Sequence, residues 1–433
     1  METWTQCWTV IWRALSRPIF SGPSSRRNRV IGASCCAKCG ACSAVCPVYR
    51  ASGWEAHTSR GKLHLLEAMG LADSSPVFVD IFSACLLCGA CSAVCPRQIN
   101  VCRELVAARA TFSSLAGPHG YEKFLARKLL DYPAGLNGLR ILGRAGEKLL
   151  GARLPKDSGL RLRLAQFSED AFTSLAREKG LSAPLTGEPL TWFPGCASRY
   201  LFPDMLSSCR SLLAGSGYSL NLPGELACCG LAAWAAGDME GARKSGRRNI
   251  QILEASEGPV LVSCASCFAH LGHYPELFAD QGEWQQRAEK VASRLVELSV
   301  FLALQSDSEE KRPELSGEKL RVYYHAPCHL RHGSAASDQA HRLLQETGRA
   351  EVLELPGGQR CCGQGGLFHV AHPELSASIR DQLVTDVLAL QPQVVTSTCS
   401  GCLMQWQQGL TAAGSRVKVL HLAQLLEQMT QKG

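Results

Sequence analysis

Cys36-Ala-Lys-Cys39-Gly-Ala-Cys42-Ser-Ala-Val-Cys46-Pro47 and Cys85-Leu-Leu-Cys88-Gly-Ala-Cys91-Ser-Ala-Val-Cys95-Pro96 decide the reading of this chain. Each run sets four thiols on a tight local scaffold and closes on a proline that ends the turn. The spacing is the bacterial pattern for cubane [4Fe–4S] clusters, in which the fourth cysteine of one run ligates the other cluster. It assigns Cys36, Cys39, Cys42 and Cys95 to one cluster, and Cys85, Cys88, Cys91 and Cys46 to a second. Zinc also uses C-x2-C pairs, but it leaves a third cysteine, a fourth and a proline unexplained, twice over. Two such clusters held close together move single electrons.

The composition fits an intracellular redox protein. The 433 residues allow two or three domains, and the 22 cysteines are far too thinly spread for a small disulfide scaffold. Most fall in C-x2-C or Cys-Cys groupings, which point to metal and to a reducing compartment. The first twenty residues carry Trp4, Trp8 and Trp12, followed by Arg26, Arg27 and Arg29. The charge follows the apolar stretch, so this is no secretory signal. It reads either as an amphipathic segment on a membrane surface or, preferably, as a disordered lead-in. No stretch has the roughly 18 apolar residues of a spanning helix. The net charge of +7 is scattered, and nothing in its pattern suggests nucleic acid. The expected location is cytoplasmic, with room for a peripheral place on the inner face of the cell membrane.

The rest of the chain contains an internal repeat. The first copy begins at Leu190-Thr-Trp-Phe-Pro-Gly-Cys196, continues to Cys228-Cys229-Gly230 and closes with Cys264-x2-Cys267. The second begins at Val322-Tyr-Tyr-His-Ala-Pro-Cys328, continues to Cys361-Cys362-Gly363 and closes with Cys399-x2-Cys402. Five cysteines recur in the same order, so this is a duplicated domain. Short apolar runs such as Leu190–Phe193 and Val260–Val262 lead into cysteines, and helical stretches such as 238–255 and 373–390 lie between. The expectation is α/β, with a parallel sheet in each copy and the cysteines outside the carboxyl ends of its strands. Gly230 and the Gly363-Gln-Gly365-Gly366 run are read as glycines that let backbone approach a bulky cluster. No flavin or nicotinamide fingerprint is visible, so any flavin belongs to another chain.

Five thiols per copy exceed the need of one cubane or one zinc. The pattern resembles the cysteine-rich CCG domain, found in the catalytic subunit of heterodisulfide reductases and in iron–sulfur subunits of glycolate, lactate and anaerobic glycerol-3-phosphate oxidoreductases. The whole order, a two-cluster ferredoxin segment and then two CCG domains, is similar to the glycolate oxidase iron–sulfur subunit and to a fused heterodisulfide reductase subunit. In the reductase relatives the CCG cysteines hold a non-cubane [4Fe–4S] cluster. The resemblance therefore implies one further centre on Cys196, Cys228, Cys229, Cys264 and Cys267, and another on Cys328, Cys361, Cys362, Cys399 and Cys402. Zinc or an empty thiol set is the alternative in these domains.

The gap from Cys46 to Cys85 resembles the α-helical ferredoxin of succinate dehydrogenase-type subunits, with helical stretches over 59–69 and 77–82. The expected layout is an extension over 1–29, an α-helical two-cluster ferredoxin domain over 30–134 and a helical linker over 135–189. The first CCG domain follows over 190–305, a linker over 306–319 and the second CCG domain over 320–433. Cys7, Cys35, Cys102 and Cys209 are read as idle thiols. His325, His329 and His332 around Cys328 suggest a mixed Cys/His zinc site, though groups that hydrogen-bond beside a cluster are preferred. Lys38 and Arg97 are candidates for raising a cubane potential. The resemblance implies an electron-transfer subunit of a flavin-dependent 2-hydroxyacid (glycolate or lactate) oxidoreductase. A FAD-bearing partner subunit would oxidise the substrate, and a quinone, a membrane subunit or another carrier would take the electrons. The alternatives are a disulfide-reducing catalytic subunit and a zinc-bearing docking module.

Overall fold

In the computed structural model, residues 35–69, 75–112, 117–130, 187–200, 202, 204–213, 217–223, 226, 228–306, 318–334 and 336–431 are described. The extension over 1–29, most of the 135–189 linker, and Cys7 lie outside them. From Ala41 to Leu130 the described residues form helices and no strand, as the long gap between the two cysteine runs implies. Helix Pro76–Ser83 starts where Ser75 accepts from the Phe78 N–H at 3.2 Å and Pro76 fills the first helical position. Helix Val101–Ala110 starts on Asn100, whose side chain accepts from the Arg103 N–H at 3.1 Å.

The repeat folds as two four-stranded parallel sheets of identical topology. The first contains β1 (Glu188–Phe193), β2 (Tyr218–Asn221), β3 (Val260–Val262) and β4 (Leu295–Glu297), in the order β2-β1-β3-β4. The second contains β5 (Leu320–Tyr324), β6 (Ala350–Leu353), β7 (Val394–Ser397) and β8 (Lys418–His421), in the order β6-β5-β7-β8. Registers match as well: Thr191 faces Val260 across β1 and β3, and Val322 faces Val394 across β5 and β7. Every residue of β3 and β7 is buried, the continuous apolar run of a sheet covered on both faces.

Helices supply the cover. Asp238 caps the helix Met239–Glu254 by accepting from the Gly241 N–H at 2.9 Å. That helix then buries Ala242, Ser245, Gly246, Asn249, Ile250 and Leu253, at helical spacing, and packs on the helices Leu231–Ala235, Tyr274–Leu277 and Gly282–Ala292. One hydrophobic core runs through the whole described molecule, from Leu63 and Phe82 beside the cubane runs to Trp192 and Trp406 under the two sheets. A second, smaller core joins Val48, Ala84 and Leu86 of the N-terminal part to Phe368 and Ile379 of the second copy. The ferredoxin-like part is therefore packed onto the CCG pair.

Candidate metal centres

The two cubane runs take the same backbone path. Lys38 and Leu87 occupy the left-handed region at φ 55° and 53°, and Gly40 and Gly89 follow at 82° and 81°. Non-glycine residues adopt that conformation at a cost, so its repetition marks a loop held for its shape. Cys36, Cys39, Cys42 and Cys95 line one small cavity, whose wall Cys91 also reaches, with Lys38, Arg60 and Arg97 beside them. Cys39 is exposed, so this set stands at the surface. Cys46, Cys85, Cys88 and Cys91 form the other group: Cys91 lies in the field of Cys88, Cys85 and Cys46, and burial pushes its thiol well up. The structure thus brings Cys95 to the first run and Cys46 to the second. The Cys46 sulfur accepts from the Tyr49 N–H at 3.5 Å, and the Cys85 sulfur from the Leu87 N–H at 3.4 Å.

In the repeat, each cysteine group follows the carboxyl end of a strand. Cys196 follows β1, Cys264 follows β3, Cys328 follows β5 and Cys399 follows β7. Cys264 and Cys399 occupy the N-caps of equivalent helices with backbone angles within a few degrees of each other, φ −120° and −121°. Each set of five sulfurs is gathered in one place. Sulfur contacts run Cys196–Cys228–Cys229–Cys267–Cys264 in the first copy and Cys399–Cys402–Cys362–Cys361–Cys328 in the second. Cys196 and Cys228 stand 3.9 Å apart. The two sets also touch: Cys264 contacts Cys399 and makes one row of ten thiols. The row also reaches the ferredoxin-like part, because Cys88 lies in the field of Cys361 and of Cys328.

This donor set fits a metal centre. All described cysteines are free. Contact with Cys362 and Cys399, then burial, raises the Cys402 thiol, and contact with Cys264 carries Cys399 up to about 12. Hydrogen bonds from neighbouring thiols lower Cys228, Cys264 and Cys361, while the other seven are raised and stay protonated unless a cation sits among them. Iron or zinc supplies that cation and turns the crowd of sulfurs into ligands.

Several supporting residues were not legible in the sequence. Tyr274 donates from its hydroxyl to the Cys229 carbonyl at 2.7 Å, and Asn249 donates to the Cys228 carbonyl at 2.9 Å, fixing the Cys-Cys turn. In the second copy Ser376 donates to the Gly363 carbonyl at 2.9 Å and receives from Gln405 at 3.0 Å. The glycine reading needs correction. A Cβ on Gly230 would meet Ala242, one on Gly363 would meet Ser376 and Ile379, and one on Gly365 would meet Leu86. These glycines admit a neighbouring helix or the ferredoxin-like part. The glycine that crowds a sulfur is Gly195, whose Cβ would lie 2.9 Å from Cys267 Sγ, while one on Gly401 would lie 3.8 Å from Cys399 Sγ.

The three histidines near Cys328 do not share a site. His325 points at Cys362 and Cys402, with ligand atoms all within 4.8 Å of one another. Burial lowers it to about 3, so it is neutral and able to ligate or to accept. His329 crosses to the first copy, where its Nδ1 meets the Ser266 hydroxyl at 3.0 Å, and that hydroxyl also meets the Cys399 sulfur at 3.2 Å. His332 packs on the ferredoxin-like part, 3.3 Å from the Cβ that Gly89 lacks. Cys35 is exposed. Cys209 is buried away from the thiol row beside Glu427, whereas Cys102 lies in the field of Cys91 and Cys85.

Comparison with known proteins agrees with this organisation. The 4Fe-4S dicluster domain model matches residues 32–99, and the cysteine-rich CCG domain model matches twice, over 190–272 and 322–407. The chain therefore carries a 4Fe-4S dicluster domain followed by two CCG domains. It is 26% identical over 414 residues to a probable glycolate oxidase iron-sulfur subunit of Bacillus subtilis, covering 90% of this chain and 92% of that one. It is 29% identical over 241 residues to lactate utilization protein A of Oceanobacillus iheyensis, covering 56% of this chain and 97% of that one. A similar match, 29% over 237 residues, is to the uncharacterized protein YkgE of Escherichia coli, covering 55% and 98%. No helix among the described residues is long and apolar enough to cross a membrane.

Proposed function

We propose that this chain is the iron–sulfur electron-transfer subunit of a flavin-dependent glycolate or lactate oxidoreductase. A FAD-bearing partner oxidises the hydroxyacid, and a quinone or another carrier receives the electrons. In this reading Cys36, Cys39, Cys42 and Cys95 hold one [4Fe–4S] cluster, and Cys85, Cys88, Cys91 and Cys46 hold the other. The five-cysteine sets of the CCG domains hold a further centre each, and bound iron–sulfur groups supply one-electron storage at all four places.

The observation that carries the proposal is the row itself. The first cubane set reaches the surface through Cys39, the second is half-buried, and Cys88 of the second lies in the field of Cys361 and Cys328. From there contacts continue to Cys399 and across to Cys264. The chain therefore supports transfer from an exposed entry site, through the second CCG domain, into the first. Its residues perform no hydroxyacid chemistry; they bury the sulfurs, orient the Cys-Cys turns and exclude water. A second reading, disulfide reduction at the CCG pair, draws support from the completeness of both sets and from the Ser266–His329 hydrogen bond at their junction.

The test uses the complex captured anaerobically on the tagged full chain. Glycolate or lactate should produce the EPR signals of reduced clusters without added dithionite. If dithionite reduces the clusters but neither acid does in a complex that contains FAD, the hydroxyacid reading fails. Reoxidation by a disulfide, with a new signal in the presence of a thiol, would replace it with the second reading.

A further inference from the structure

The two cubane thiol sets sit in unlike electrostatic surroundings. Beside the first, exposed Lys38 pairs with Glu67 at 3.6 Å, half-buried Arg60 pairs with Glu55 at 2.7 Å, and Arg97 is exposed. Beside the second, Lys62 is buried and Arg109 half-buried, and among the described residues neither bonds a carboxylate. Lys62 is 1% exposed, and its ammonium makes a single hydrogen bond, to the carbonyl of His57 at 2.5 Å. The Cys46 sulfur faces that same carbonyl at 3.9 Å. The largest charges on the Lys62 ammonium are those of Cys85, Cys46, Arg109 and Cys91, and the half-buried Asp80 carboxylate also lies in its field without bonding it. Arg109 directs its donors to the carbonyls of Phe82, Ser83, Cys85 and Ala235.

A buried ammonium with one acceptor is costly unless a countercharge lies nearby. Aspartate or glutamate, the usual solution, is absent here among the described residues that bond it. Four thiolates around an iron–sulfur group supply that countercharge, and its sulfurs accept N–H hydrogen bonds, which raise its potential. Salt and water screen Lys38 and Arg60, and they screen Lys62 much less.

We propose that Lys62 is the countercharge and sulfur hydrogen-bond donor of the second cubane centre and, with Arg109, makes it the more oxidising of the two. One electron leaves the exposed centre and enters the buried one, with no bond made or broken. The inference rests on the assignment of Cys46, Cys85, Cys88 and Cys91 as ligands. Lys38 and Arg97, the candidates from sequence, are displaced from this role by their exposure to solvent.

The test is an EPR-monitored redox titration of the full chain purified anaerobically, as wild type, Lys62→Met and Lys38→Met, each with iron determined. Lys62→Met should lower the equilibrium constant for transfer from first to second centre at least tenfold, about 59 mV for a one-electron couple. Lys38→Met should change it less than twofold. An unchanged ratio in Lys62→Met with iron retained overturns the proposal. Should that variant lose iron, wild type grown on ¹⁵N-lysine decides: pulsed EPR should show a ¹⁵N coupling to one reduced centre that persists in Lys38→Met, and no coupling overturns it. Wild type without cubane iron would instead sink the ligand assignment beneath it.

Discussion

Replacing Arg109 should loosen the ferredoxin-like part from the first CCG domain. Its half-buried guanidinium donates to Phe82 O at 3.0 Å, Ser83 O at 3.1 Å, Cys85 O at 2.8 Å and Ala235 O at 2.5 Å. The first three carbonyls belong to the turn leading into the second cubane run, and the fourth ends a helix of the first CCG domain. Arg109→Met keeps the apolar stem and removes all four bonds. Hydrogen bonds from a charged donor contribute about 1.5–3 kcal/mol each, and freeing the fold from a half-buried guanidinium offsets several kcal/mol of that gain. The net loss is about 4 kcal/mol, within the range for removing one partner of a buried charged network. At roughly 2–4 °C per kcal/mol for domains of this size, the melting temperature falls by about 8–16 °C. The assay is loss of iron–sulfur absorbance and of far-UV circular dichroism on heating the anaerobic holoprotein. Arg109→Lys, which keeps the charge and some donors, should fall between. A shift below about 2 °C in Arg109→Met would refute the idea that these bonds tie the two parts together.

Three further outcomes are expected. Gly365→Ala places a Cβ 2.4 Å from Leu86 Cδ2 at φ 52°, so it should cost about 1–3 kcal/mol in chemical denaturation and loosen the contact beneath Cys85 and Cys88. Burial raises the Glu297 carboxyl from its ordinary 4.5 to about 7. The protonated form therefore stabilises the fold fully below pH 4.5, and that contribution is lost as pH rises through about 7. Glu297→Gln should flatten the decline in denaturation midpoint between pH 5 and 8, and an unchanged slope would rule the group out. Cys209→Ala should leave iron content unaltered, because Glu427 is the charged group that acts on it and the thiol row lies elsewhere; lost iron would mean that the row is longer than described.

The architecture was legible because iron–sulfur ligation imposes spacing that survives in one sequence. The two cubane runs, the five-cysteine repeat and the strands Leu190–Phe193 and Val260–Val262 all stand where patterning put them, as do the helices over 59–69 and 77–82. The meeting of Cys264 with Cys399 was not legible, since it depends on how two sheets of equal topology pack against each other. The roles of Gly230 and Gly363 were misread for a related reason: a glycine beside a cysteine does not say which neighbour comes close. Lys62 carried a readable signal. It lies with Ser59, Leu63 and Leu66 on the buried face of its helix, where a lysine is out of place. Sequence attention went instead to Lys38 and Arg97, nearer the cysteines in the chain.

The central claim is that four thiol sets hold iron in one connected row. Iron, zinc and acid-labile sulfide determined on the anaerobically purified full chain, with Mössbauer spectra of ⁵⁷Fe-grown protein, test it most directly. The account predicts about sixteen irons without zinc, as four [4Fe–4S]-sized centres require, and magnetic coupling between reduced centres. About eight irons, with zinc or nothing in the CCG domains, would contradict it and confine electron transfer to the ferredoxin-like part.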